Sequence, residues 1–341
     1  MSTRHIAIAI GVAVVMAVLA VVLGRYGAYL VNAVAIAAIG ALSLNLLIGY
    51  CGQISFAQGA LLGVGAYTAG NLGNAGLDGA VAILGAGVLG ALVSALIGLP
   101  AMRLRGLYFA IATLAAQAIL EYLFKILDPL TNGVSGLVIK PPSIFGIPMT
   151  SDESLVLPSL VLLVIAWLVV SRLLRTDLGR AFLVVRESEI VAKGMGIDVG
   201  HTKLWAFLIG GFIAGMAGAL IGFANRLASP EAFTLDLSAD YIAMIIIGGL
   251  GTWPGPIIGA AFVVLLPEVI QRVGEAAGIS DILSALRELA FGLLIILFLI
   301  FEPRGLTALL SRIKLRRIGV VPPAGLRATG EGSQSPEGRS R

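Results

Sequence analysis

The chain has 341 residues, of which 58% are hydrophobic and 12% charged, with a mean hydropathy of +1.00. Soluble domains carry about 25% charged residues, so this composition excludes a soluble globular protein and selects an integral membrane one. The net charge of +4 (23 basic against 19 acidic residues) reads as loop asymmetry rather than nucleic-acid binding, and the single cysteine, Cys51, excludes an intrachain disulfide and a cysteine metal cluster.

Apolar segments fall at about 6–23, 28–50, 53–72, 79–100, 107–127, 154–171, 204–225, 241–253, 255–271 and 283–301. They are continuous runs, not the ~10-residue alternating segments of a membrane β-barrel. The expected fold is therefore an all-α polytopic membrane bundle of about 8–10 membrane segments, with broken or re-entrant helices, over 1–317. Segment 6–23 reads as a retained first helix, because no small-x-small cleavage site precedes Arg25 and Tyr26. After the short break Gly49-Tyr50-Cys51-Gly52 comes QISFAQ (53–58). Asn45, Gln53, Ser55, Gln58 and Gln117 are polar residues at or near membrane depth. Exposing them to lipid is costly, so they face the bundle interior, as structural hydrogen bonds or as the polar wall of a translocation path. Ser55, Gly59, Gly63 and Gly70 form a small-residue stripe, and Gly211, Gly215, Gly218 and Gly222 form another on one helix face. Both suit tight helix packing. A weak internal echo joins 55–70 to 210–224.

Glu121 and Lys125 are spaced for a helical ion pair, as are Glu268 and Arg272. Residues 128–153 form the longest outer loop, and 318–341 have the composition of a disordered tail. The loop 172–203 is too patterned for a connector: Ala181, Val184, Val185, Ile190, Val191 and Met195 fit helical spacing, and Gly194 and Gly196 stop the helix. Such an amphipathic element lies on headgroups or docks into a partner's groove, and amphipathicity alone does not choose.

The stretch YIAMIIIGGLGTWPGPIIG (241–259) carries Gly248, Gly249, Gly251, Pro254, Gly255 and Pro256 between two apolar runs. Neither run reaches the ~20 residues of a straight crossing. Broken helices are typical of transport proteins, so the pattern indicates a conduit rather than an anchor. Charge supports the break. With a cytoplasmic N-terminus and one crossing per segment, fourteen Lys and Arg fall on the cytoplasmic side, six outside and three in the far tail. That is the positive-inside arrangement, with both termini cytoplasmic. An even number of crossings must separate the basic loop at 172–203 from the basic tail after 304, which requires 241–271 to count as two arms. No HExxH, GxSxG or Gly-Lys dipeptide occurs, so a Walker A loop is absent and no catalytic or metal site is expected.

The segments LSLNLLIGYCGQISFAQGALLGVGAYTAG (42–70), RLRGLYFAIATLA (103–115), TNGVSGL (131–137), GRAFLVVRESEIVAKGMGIDVGHTKLWAF (179–207), SPEAFTLDLSADYIAMIIIGGLGTWPGPIIGA (229–260) and FEPRGL (301–306) carry a family resemblance. Together they resemble the LivM-type permease subunit of branched-chain amino-acid ABC transporters, over roughly 28–310. Permeases for urea and short amides look similar. The resemblance implies an importer in a bacterial inner membrane. Its parts are a second, LivH-like permease subunit, two cytoplasmic ATPase subunits that bind ATP and Mg, and a periplasmic or lipid-tethered binding protein. This chain itself would bind no cofactor. The resemblance also assigns the loop, with Arg186, Glu187, Glu189, Ala192 and Gly194, to ATPase coupling. The family's two adjacent alanines and acid after the Arg-Glu pair are replaced by Ile190-Val191-Ala192-Lys193, where only Ala192 matches. An ATP-independent secondary carrier or channel is the rival from another class.

Overall fold

A computed structural model of the chain describes residues 3–104, 106–277, 292 and 305–307, without the side chains of 3–10, 101 and 273–277. The expected segment at 283–301, Arg105 and the tail at 318–341 lie outside the described residues, 292 apart. The helices are α1 (Thr3–Val22), α2 (Gly24–Leu44), α3 (Gln58–Asn74), α4 (Gly79–Gly98), α5 (Leu107–Ile126), the single turn α6 (Asp128–Thr131), α7 (Asp152–Leu173), α8 (Asp177–Glu187), α9 (Glu189–Gly194), α10 (Val199–Asn225), α11 (Leu235–Gly248) and α12 (Gly255–Ala277). A π-helical turn, Asn45–Tyr50, extends α2. Four two-residue strands lie in the connections: β1 (Leu137–Val138) pairs antiparallel with β4 (Leu227–Ala228), and β2 (Ser143–Ile144) with β3 (Ile147–Pro148). Among the described residues, six helical spans are long and apolar enough to cross a membrane: Gly24–Tyr50, α4, α5, α7, α10 and Gly255–Arg272.

Contacts sort the helix ends into two groups. One end gathers residues 45–52, 99–104, 106–107, 172–203 and 248–255. There Asn45 bonds the backbone of Gly251 and Thr252, Arg186 bonds that of Gly49, and Gly200 abuts Met102. This is the basic end. The far end gathers the α1–α2 turn, the 128–151 loop and the end of α10. There Asn32 Nδ2 donates to the Asp152 carbonyl (2.7 Å), Arg25 faces Glu153 (3.9 Å), and Asp78 Oδ2 accepts from Phe145 N–H (2.8 Å). The far loop is ordered by its turn chemistry. Asn132 is left-handed (φ 58°), and its side chain donates to the Gly136 carbonyl at 3.0 Å.

Two crossings are composite. Gln117 is the eleventh of the twenty residues of α5, halfway along its ~30 Å. It bonds both Ala60 N–H and the Phe233 carbonyl, so the start of α3 and the approach to α11 both lie near mid-depth. The chain climbs from the basic end to mid-depth through non-helical 51–57 and continues as α3. It descends from the far end through 227–234, including a 3-10 turn at Pro230–Phe233, and continues as α11. In these non-helical stretches Gln53, Ser55, Ala57, Pro230 and Phe233 are buried against the bundle, while Gly52, Ile54, Glu231 and Ala232 are exposed.

The order helix, broken crossing, helix thus occurs twice with opposite sense. It appears as α2, 51–74 and α4, and again as α10, 227–248 and α12. Packing follows the same relation: α3 lies on α4 as α11 lies on α12, and α4 lies on α10 as α12 lies on α2. The counterpart of 55–70 is therefore 233–248, not the compositional echo at 210–224. The echoed stretches instead pack face to face. A methyl group on Gly218 would collide with the Leu62 carbonyl, and one on Gly215 with the Ala86 carbonyl of α4. Close backbone approach is what small residues supply in lipid, where apolar burial does not drive helices together. Ser43 and Ser94 pin α2 and α4 to α10 through the carbonyls of Gly210 (2.8 Å) and Phe207 (2.7 Å). The stripe at 59, 63 and 70 faces Thr234, Phe124 and Ile139, whereas Ser55 precedes the helix.

Two expectations are corrected. The second arm of the 241–259 region, α12, has 23 residues and is long enough to cross, and only α11, with 14, is short. Helix α11 is completed by 227–234, so the missing length lies before it. The helix that carries the segment expected at 204–225 starts earlier, at Val199, capped by Asp198.

Candidate functional site

At mid-depth, α3 and α11 meet with their N-terminal ends together. The first turn of any helix leaves unpaired N–H groups. Here they are closed by side chains from other helices. Gly59 N–H donates to Ser238 Oγ (2.8 Å) and Ala60 N–H to Gln117 Oε1 (2.7 Å). Gln117 Nε2 donates to the Phe233 carbonyl (2.8 Å), and the Ser238 hydroxyl donates to Gln117 Oε1 (3.3 Å). One amide from α5 therefore ties both broken crossings together. Below it, Phe56 N–H donates to Thr113 Oγ1 (3.0 Å) and Ala57 N–H to Ser55 Oγ (3.4 Å). Gln58 Nε2 donates to the Gly40 carbonyl (3.0 Å), and Gln58 Oε1 is a buried acceptor with no partner among the described residues.

A second junction closes the basic end. Asn45, in the π-helical turn, accepts from Gly251 N–H (2.9 Å) and donates to the Thr252 carbonyl (3.2 Å). Gly249 and Gly251 have φ of 116° and 66°, a region closed to most side chains, and they turn the chain from α11 into α12. The break proper is 249–254. Gly248 ends α11 and Gly255 opens α12, with Pro256 in its first turn, where a missing N–H costs nothing. Trp253 stacks on Trp167 of α7, with ring centroids 4.5 Å apart.

The basic loop is a compact knob rather than one amphipathic helix. Ser188 (φ −163°, ψ 118°) breaks it and caps α9, accepting from Val191 N–H. The break resets the helical phase. Val185, Ala192 and Val199 form a small apolar core, while Ile190, Val191 and Met195 are 78%, 55% and 67% exposed. Glu189 pairs with Lys203 at 2.7 Å, and Lys203 is buried. Asp198 accepts from the backbone N–H of His201 and then from its ring, which holds the Asp198 carboxyl below the usual aspartate range.

The structure thus places Gln117 at the mid-depth junction with Ser238 and Asn45 at the junction with Gly251 and Thr252, whereas Ser55 bonds the nearby Ala57 N–H, Gln58 the Gly40 carbonyl of α2, and Gln53 the nearby Cys51 carbonyl (3.3 Å). All five polar candidates are buried; Asn45, Ser55 and Gln117 bond backbone at the breaks, and Gln58 bonds the Gly40 carbonyl of α2. Of the residues assigned to ATPase coupling, Arg186, though exposed, donates to the Gly49 carbonyl, and Glu189 pairs with the buried Lys203. Ala192 is wholly buried in the knob's own core. Glu187 and Gly194 are exposed. Sequence reasoning missed Thr113, Ser238, Thr252 and Lys203. Thr113 was visible as a hydroxyl in an apolar run.

Residues 26–300 match the family model described as branched-chain amino acid transport system / permease component. The high-affinity branched-chain amino acid transport system permease protein LivM of Escherichia coli (strain K12) is 32% identical over 290 residues, 78% of this chain and 66% of that protein. The chain therefore spans slightly less than two thirds of that relative's length. The probable LivM of Methanocaldococcus jannaschii is 28% identical over 234 residues, 66% of this chain and 67% of that protein. The probable LivH of the same organism is 33% identical over 87 residues, 26% of this chain and 27% of that protein. No solved structure matches the chain. With its broken crossings and its match over most of its length, the chain belongs to the family of branched-chain amino acid transport system permease components.

Proposed function

We propose that this chain is one permease subunit of an ATP-driven importer for branched-chain or related aliphatic amino acids, and that it forms the path with a second, LivH-like permease. ATP and Mg act on two separate cytoplasmic ATPase subunits, and a periplasmic or lipid-tethered protein delivers the substrate. The basic end then faces the cytoplasm, with both termini on that side of a bacterial inner membrane, in keeping with the positive-inside rule. The observation that carries this reading is the knob: a self-packed element at the basic end that exposes Ile190, Val191 and Met195 together. An exposed apolar cluster outside the bilayer marks an interaction site, and a groove on an ATPase is the partner that an importer requires.

The test is reconstitution in proteoliposomes with the second permease, the ATPases and the binding protein. Leucine uptake should require ATP and all partners. Uptake by this chain alone on an ion gradient would overturn the importer reading. A binding protein that takes urea or short amides but not leucine would overturn the substrate.

A further inference from the structure

We propose that Arg186 is the positioning residue that gears the knob to the chain breaks at the basic end, so that movement of α8–α9 is passed to the broken crossings. The proposal rests on the docking role given to the knob above. Arg186 stands in the last turn of α8, and its guanidinium donates to the Gly49 carbonyl in the π-helical turn that ends α2. Gly49 in turn lies against Gly251, and a methyl group on Gly251 would meet Arg186 Nη1 at 2.6 Å. A methyl group on Gly52 would meet Arg186 Cα and Cγ, each at 3.2 Å. Two segments about 200 residues apart in sequence therefore keep glycine where this one side chain passes.

The choice of a cation follows from the surroundings. The turn that ends α2 and the C-terminal end of α11 both converge on this point, and the partial negative charge of helix C-termini favours a cation there. A π-helical turn also leaves a backbone carbonyl open to an outside donor. Beyond Gly52 the chain becomes the non-helical lead-in 53–57, whose far end is held at Gln117. A shift of α8 thus acts on Gly49 and, through 51–57, on the mid-depth junction. It acts on α11 and α12 through Gly251 and Asn45.

The experiment uses the complete complex in nanodiscs and proteoliposomes, with Arg186→Gln, Arg186→Lys and Gly251→Ala. Met195→Cys should crosslink to an ATPase subunit in an otherwise wild-type chain and in each variant. Arg186→Gln should keep ATP hydrolysis near the wild-type rate while amino acid taken up per ATP falls about ten-fold. Arg186→Lys should restore part of that ratio. Gly251→Ala crowds both the guanidinium (2.6 Å) and the Gly49 carbonyl (2.7 Å) at a positive φ, so it should lower the ratio with Arg186 unchanged. If uptake and hydrolysis fall in the same proportion, or if neither changes, in the Arg186 variants, Arg186 only supports the fold and the proposal is overturned. Should Arg186→Gln fail to assemble, the ratio in Arg186→Lys, expected below wild type, decides alone. Absence of the crosslink in the otherwise wild-type chain overturns the docking reading, and this proposal with it. An intact crosslink with an unchanged ratio overturns this proposal only.

Discussion

At mid-depth, the ends of two broken crossings are closed by neutral side chains: Gln117 and Ser238 take the N–H groups of Gly59 and Ala60, and Gln117 returns a donor to the Phe233 carbonyl. At the basic end, the same two crossings are closed by Asn45 and by a cation, Arg186, from an element outside the bundle. Both junctions satisfy backbone that a regular helix would have satisfied by itself. Their chemistry differs with depth. A charge at mid-depth is expensive, and an amide both donates and accepts without one. Near the membrane edge a cation is affordable, and helix C-termini favour it. One junction is thus neutral and wholly within the bundle, whereas the other reaches an element outside it, the contact on which the proposed coupling rests.

The largest effect expected on this contrast is from Gln117→Leu. It strands the Ala60 N–H and the Phe233 carbonyl away from water, at about 1–3 kcal/mol for each group. Melting in detergent should drop well below wild type, with little assembled complex, and wild-type melting would show that the seam does not depend on this amide. Asn45→Leu strands two groups as well, but these are part-buried and closer to water, so the loss should be about 1–2 kcal/mol. Equal losses in the two variants would erase the difference in depth.

Gln53→Leu removes one local 3.3 Å bond and should change stability by less than about 0.5 kcal/mol. Normal melting with lost uptake would move Gln53 from the framework to the substrate path. The smallest effect belongs to Asp198→Asn, at the N-terminus of α10. The Asp198 carboxyl titrates below its ordinary value of 3.8 in the folded state, so its contribution is present above that pH and is lost as pH falls through the folded value. The melting difference from wild type should be present above pH 3.8 and should shrink as pH falls further, through the lowered folded value. A difference that does not shrink on acidification would assign the effect to lost hydrogen bonding alone.

Much of the bundle was legible in the sequence because lipid imposes long apolar runs and small-residue contacts. The breaks at 49–52 and 249–254 and the stripe from Gly211 to Gly222 all announce themselves locally. So does the Glu121–Lys125 pair, observed at 3.4 Å. The non-helical lead-in at 51–57 did not, since QISFAQ contains no proline and its partners, Thr113 and Gln117, come about 60 residues later. The knob was misread in orientation for a different reason. Ser188 shifts the phase between α8 and α9, so Ile190, Val191 and Met195, read at one helical spacing with Val185, are exposed, and Ala192 joins Val185 instead. The role of Arg186 was hidden because its acceptor is a backbone carbonyl 137 positions earlier, which no side-chain pattern reveals.

The seam at mid-depth also sets an order of events during synthesis. Gly59 N–H is paired by Ser238, which follows it by 179 residues. At translation rates of about 5–20 residues per second, α3 waits roughly 10–35 s for that partner. Through that interval the start of α3 and its non-helical approach have no complete set of acceptors, and they must stay sheltered by the insertion machinery or by water at the membrane edge. The first half of this protein is therefore a passenger until the second half arrives. A nascent chain halted after α5 should hold α3 in a position that it abandons once α11 is made.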